Sequence, residues 1–140
     1  MVQSPIFQSP TGSALQMGSR TMTLTSAGQV QALDALFASP KFVGCYQQYV
    51  QALVAGAAPG AVAQVQSVTL PQPSSVQSYG VVTTYVIPGA GTEVVGEAYM
   101  LGGRLVSVLQ PTTNGPAVPG DVFTQAYDAM SGRMSAAAGR

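Results

Sequence analysis

The groups in this 140-residue chain that could move a proton or attack a substrate are one cysteine, Cys45, five carboxylates and six tyrosines, and there is no histidine. The missing imidazole removes the commonest general base and the commonest transition-metal ligand together. A Ser-His-Asp or Cys-His site is therefore impossible within the chain, and a single cysteine without histidine excludes the usual structural zinc sites. The carboxylates Asp34, Glu93, Glu97, Asp121 and Asp128 lack the alternate spacing of a calcium loop, so neither metal nor cofactor is expected. The glycines spell no G-x-x-x-x-G-K-S/T, and no G-x-G-x-x-G joins a strand to a helix, so phosphate cradling is unsupported.

Glu93 and Glu97 form the one carboxylate pair at strand spacing, but four residues of extended chain separate them by about 13 Å, too far for either usual glycosidase geometry. They are expected on the solvated face of a hairpin, with Arg104 available to pair with Glu97 or a neighbour at roughly 0.2–1 kcal/mol. The tyrosines and methionines at positions 17, 22, 46, 49, 79, 85, 99, 100, 127, 130 and 134 have two readings. On helices, their 3.6-residue spacing makes them core. On strands, Tyr79, Tyr85 and Tyr99 are candidates to line an apolar cleft for a small ligand. No catalytic residue is assigned.

Positioning these groups falls to elements legible from periodicity. Residues 1–13, with two Ser-Pro pairs, read as an extended arm, and residues 14–25 as a strand bulged near Gly18. Its apolar residues change phase, Leu15 and Met17 against Met22 and Leu24. Ser26 is placed to N-cap a helix with Val30, Leu33, Leu36 and Phe37 on one face. Pro40 ends it. In the next helix Phe42, Cys45, Tyr49 and Leu53 repeat at helical spacing, with Tyr46, Val50 and Val54 beside them. Cys45, having no partner for a disulfide and no base to activate it, is expected on the apolar face as a small hydrophobe. Its removal is expected to cost about 1 kcal/mol. An intermolecular disulfide needs an exposed helix edge.

Segments 61–70, 79–87, 93–101 and 104–109 are rich in Val, Thr and Tyr and read as strands, the last two joined by a tight turn at Gly102-Gly103. After the loop "QPTTNGPAVPG", Asp121 opens a helix bearing Phe123, Ala126, Tyr127, Met130 and Met134, and residues 137–140 read as a frayed tail. The whole predicts a single α+β domain over 14–136, a two-layer sandwich of an antiparallel meander sheet with helices packed on one face. Because both faces of several strands are apolar, as in Val81, Val82, Tyr85 and Val86, more surface needs cover than one helix layer supplies.

Only 7% of residues are charged, against about a quarter in ordinary proteins, and the net charge is zero. Five scattered cations make no basic face, which excludes phosphate-driven nucleic-acid binding and electrostatic membrane attachment. No run approaches the roughly 18 apolar residues of a membrane span. A polar, uncharged surface suits an exported protein, although "MVQSPIFQSP" is no signal peptide.

The helix pair running into "SPKFVGCYQQYV", then "GRLVSVLQ" after the turn, then "DVFTQAYDAMSGRM", is similar to actinobacterial exported sensor-like domains. Among these are the PknH-like extracellular domain of mycobacterial membrane kinases and related secreted proteins and lipoproteins. The resemblance, covering about residues 14–136, implies an envelope-side, non-enzymatic domain with a cleft for a ligand. It departs from that group in lacking paired cysteines. An NTF2-like cone, which usually finishes on strands rather than a helix, is the alternative fold. Three functional expectations stand: a non-catalytic extracytoplasmic sensor or ligand-binding domain; a structural subunit packing on a partner protein or itself, including as a homodimer; and a cone-fold enzyme using a buried Asp or Tyr.

Overall fold

The computed structural model describes residues 1–8, 15–73, 75–114 and 120–138. Expectations for arm residues 9–13, for Ala14, for loop residues 115–119 and for tail residues 139–140 lie outside them. The elements are β1 (Val2–Gln3), β2 (Phe7–Gln8), β3 (Gln16–Thr23), α1 (Ala27–Phe37), α2 (Phe42–Ala57), β4 (Val62–Val68), β5 (Gln77–Ile87), β6 (Gly91–Gly102), β7 (Leu105–Thr113) and α3 (Gly120–Ala138). The class is α+β. Its seven strands form one antiparallel sheet in the order β1-β3-β7-β6-β5-β4, with β2 also on β3, so that β3 flanks the end of the β4–β7 meander.

Local chemistry explains the punctuation. Ser26 caps α1, its Oγ accepting the Gln29 N–H at 3.3 Å. Between β6 and β7 the pairing of Gly102 with Leu105 leaves a two-residue loop in which Gly103 takes φ +59°. β3 holds an unbroken register with β7 from Gln16–Thr112 to Thr23–Leu105, so there is no bulge at Gly18. The phase change in β3 has a different cause: Met17 packs beneath α3 and Met22 beneath α1, on opposite sides of the sheet.

Side chains alternate across each strand, and the pairing extends that alternation over the sheet. One face carries Ala98, Met100 and Leu109 and packs against Tyr127 and Met134 of α3. The other carries Leu101, Val106 and Tyr79 and packs against Val30, Leu33 and Phe37 of α1. α2 follows on that second face, running along β4. The α1–α2 pair thus shares one face as expected, while α3 supplies separate cover on the other. That is how strands apolar on both sides bury them within one chain. The α3 stripe of Phe123, Ala126, Tyr127, Met130 and Met134 lies as its spacing requires, and the helix stays regular through Ala138.

The sheet has two edges, and each is closed differently. On β4, Gln51 Nε2 donates to Ala61 O at 3.1 Å and its Oε1 accepts Ala63 N–H at 2.8 Å. Gln47 repeats the pattern on Ala63 O and Val65 N, both at 2.6 Å. Four helical residues advance about 6 Å and two strand residues about 6.6 Å, so the two amides match successive outward-facing peptide groups. The helix stands in for the missing strand. At the other edge, the short β1 and β2 flank Pro5, which cannot donate to a further strand.

β7 runs through Pro111 to Thr113, beyond the expected end at Leu109. A central proline is tolerated because the opposing residue is Gly96: a Cβ there would lie 3.0 Å from Pro111 Cγ.

Candidate functional site

The structure brings two of the three expected site tyrosines together and sets the third apart. Tyr79 and Tyr99 are direct cross-strand neighbours, and Phe37 of α1 packs on both, with ring centroids 5.5 Å and 4.5 Å away. Phe42 meets Phe37 edge-on at 5.0 Å, and Tyr46 stacks on Phe42 at 5.7 Å. Tyr85 lies on the same face but pairs with Glu93, six residues along the strand. The arrangement is a packed aromatic layer under the helix pair, with aromatic contacts of the favourable offset and edge-to-face kinds.

The hydroxyls in this layer are directed at carboxylates. Tyr79 donates to Asp34 Oδ1 at 2.7 Å, and Tyr46 donates to Glu97 Oε2 at 2.5 Å. Gln110 Nε2 reaches Glu97 Oε1 at 3.5 Å, and Tyr99 lies close enough to feel the same carboxylate. Burial first, then the bond to Asp34, pushes Tyr79 up to about 12. Burial followed by the Glu97 interactions raises Tyr46 and Tyr99 further, and Tyr85 is raised by burial and by the nearby Glu97 charge. A tyrosine held protonated in this way is a poor general base and a poor nucleophile near neutral pH.

Glu97 is therefore not on a solvated hairpin face; it is half-buried under Tyr46 because β6 is a central strand and α2 covers it. Arg104 does not pair with it. Its Nε donates instead to Leu24 O at 3.0 Å, tying the β6–β7 turn to the end of β3. Cys45 is also displaced from the expected position: it is exposed, as are Tyr49 at 60% and Leu53 at 56%. α2 turns the neighbouring stripe inward, with Val50 4% exposed. Gln47 and Gln51 lie on that stripe, and their bonds to β4 fix the rotation.

A spacious cleft lies on the opposite face, beside the first turn of α3. It encloses about 390 Å³ between Val68, Leu70, Val82, Val94, Pro111 and Phe123, with Gln66 and Thr84 among its polar lining. α3 covers the sheet at Ala98, Met100 and Leu109, and the cleft lies over the strand segments that carry Val82 and Val94. Gly80 and Gly96 are part of its lining, and both lie under close neighbours: a Cβ on Gly80 would meet Val68 O at 2.9 Å. The three candidate tyrosines are absent from this lining; Tyr79 borders a separate cleft of about 240 Å³ with Phe37, Phe42 and Val43. The signal available in the sequence was the pair of glycines inside strand runs, which marks close approach of a neighbouring group.

Among the described residues, no group of three or more Cys, Asp or Glu side chains is placed to hold a metal ion, and no helix is long and apolar enough to cross a membrane. Compared with protein-family models, curated proteins and solved structures, the chain gives no match.

Proposed function

We propose that this is a non-catalytic ligand-binding domain of the sensor-like kind, whose ligand occupies the apolar cleft between the sheet and α3. The observation that carries the reading is that cleft: about 390 Å³, walled by Val68, Leu70, Val82, Val94 and Phe123, within the size and composition usual for small-molecule sites. The committed tyrosine hydroxyls and the absence of histidine support a binding role over a catalytic one. The 7% charge content supports placing it outside the cytoplasm, which fractionation of cells producing the protein tests.

The binding test uses Nile red, an uncharged dye whose emission shifts to the blue in apolar surroundings. Saturable one-to-one binding is expected, together with its loss in Val82→Phe, which fills the cleft from a half-buried strand position. Circular dichroism checks that the variant is folded. Failure of the unmodified protein to bind saturably, or undiminished binding in folded Val82→Phe, would overturn the reading.

A second reading, self-association through the helix pair, is favoured by the exposed Leu36, Tyr49 and Leu53, at 51%, 60% and 56%. α2 has no charged residue between Phe42 and Ala57, so two copies would meet without repulsion. Sedimentation across a wide concentration range tests it: a monomer throughout rules it out.

A further inference from the structure

From the chemistry of the cleft walls we infer that the ligand is an uncharged, compact amphiphile carrying a hydroxyl, carbonyl or amide, and not a fatty carboxylate or a phosphorylated lipid. This rests on the ligand-binding reading and narrows it to a chemical class.

Among the described residues no Lys or Arg lines the cleft, so a bound anion would leave water without gaining a counter-charge. Glu97 is the only charged residue of the lining, and its carboxylate is held on the opposite face by the Tyr46 hydroxyl at 2.5 Å. It therefore lies behind the floor of the cleft as a fixed negative charge, which an anion in the cleft would feel across the sheet.

The start of α3 is the one positive feature at this site, because Gly120 lines the cleft and a helix N-terminus attracts anions. That attraction is already answered within the chain. Asp121 stands in the first turn of α3 and brings a full negative charge against roughly half a positive one.

What remains for recognition is apolar contact along Val68, Val82, Val94 and Phe123, and two neutral hydrogen-bonding groups, the Gln66 amide and the Thr84 hydroxyl. Both can donate or accept, so they suit an alcohol, ester, ketone or amide without demanding a charge. A cationic head would leave water for a lining that offers it no free carboxylate, since the Glu97 side chain is engaged on the other face and Asp121 is outside the lining.

Competition against Nile red tests the class with four probes of one chain length, used below their micellar concentrations: 1-decanol, methyl decanoate, decanoate and decyltrimethylammonium. The two uncharged probes are expected to displace the dye at concentrations at least about tenfold lower than either charged one, a discrimination typical of a site lacking a counter-charge. Amide shift perturbations centred on Val82, Val94 and Phe123 in the unmodified protein are expected to place the competition in this cleft. Decanoate or the quaternary ammonium competing as well as the alcohol would overturn the chemical class and leave the ligand-binding reading intact. Absence of saturable Nile red binding would remove both. Perturbations centred elsewhere in the fold would also overturn the assignment.

Discussion

The two faces of the sheet are covered by different chemistry, and the face under α3 holds more of the fully buried strand residues. Under α1 and α2 the layer is aromatic, and its hydroxyls end on Asp34 and Glu97. Under α3 the layer is mostly aliphatic with a few short polar bonds: Tyr127 donates to Pro71 O at 2.5 Å with Ser78 Oγ 2.7 Å away, and the Ser107 hydroxyl donates to Met134 Sδ at 3.1 Å. The aromatic face is held by directional bonds, and its cleft beside Phe37, Phe42 and Tyr79 is the smaller, about 240 Å³ against about 390 Å³. The aliphatic face relies on shape, and where α3 begins the shape leaves a cleft. The hydroxyls of the first layer are already paired within the chain, and the larger cleft lies on the second.

Deleting volume separates the faces most sharply. Met100, fully buried beneath α3, is expected to lose about 2–5 kcal/mol on replacement by Ala, measured by chemical denaturation. A loss below about 1 kcal/mol would mean that α3 holds this face loosely. On the aromatic face, Glu97→Ala leaves the Tyr46 hydroxyl without its acceptor and is expected to cost about 1–3 kcal/mol. The same variant should lower the alkaline titration of Tyr46 and Tyr99, because the Glu97 interactions help to raise both. Absorbance at the tyrosinate band reports it, and an unchanged curve would show that burial alone sets those groups.

Alkali attacks the aromatic face through the same groups. Tyr79 is raised from 10.0 to about 12 in the folded chain, so the folded state holds its proton more tightly than the unfolded state. That stability is fully present below pH 10 and is lost as pH rises through 12. Denaturation midpoints at increasing pH should fall across this window in the unmodified protein and fall less in Tyr79→Phe. Parallel curves would remove Tyr79 from the account.

At the β4 edge, Gln47→Ala with Gln51→Ala uncovers peptide groups that the amides now satisfy. The expected cost is about 0.5–1.5 kcal/mol per bond at most, accompanied by concentration-dependent association, since an open edge pairs with other chains. Light scattering that stays monomeric would show that α2 blocks the edge by bulk alone. The smallest effect is expected at Cys45: its exposure reduces the expected cost of Cys45→Ser from about 1 kcal/mol to within about 0.5 kcal/mol.

Much of this architecture was legible in the residues. The α3 stripe, the Ser26 cap and the β6–β7 turn each follow from short-range rules, and the α+β class follows from the order of elements. The doubled apolar faces called for a second cover; α3 supplies it over β6 and β7, while on β5 Val82 borders the cleft and Val86 is 51% exposed. Periodicity failed on α2, where apolar residues occupy nearly every position between Phe42 and Val54 and two stripes compete. The winning stripe is set by glutamines bonding to a strand that follows in sequence, an interaction no local spacing encodes. β7 passed its expected end because a glycine on another strand makes room for Pro111.

By itself the sequence determined what this protein lacks and what it is built from. A chain with no histidine and one cysteine has a short list of chemistries, and hydrophobic periodicity with turn residues specifies helices and strands through local forces. Only the tertiary structure decided which groups meet: that Glu97 lies under Tyr46, that Cys45 faces solvent, and that the spacious cleft belongs to the aliphatic face. Those outcomes depend on how far α3 extends over the sheet and how α2 is rotated against β4. Both are settled by packing and hydrogen bonds between residues far apart in the chain, which spacing along it does not record.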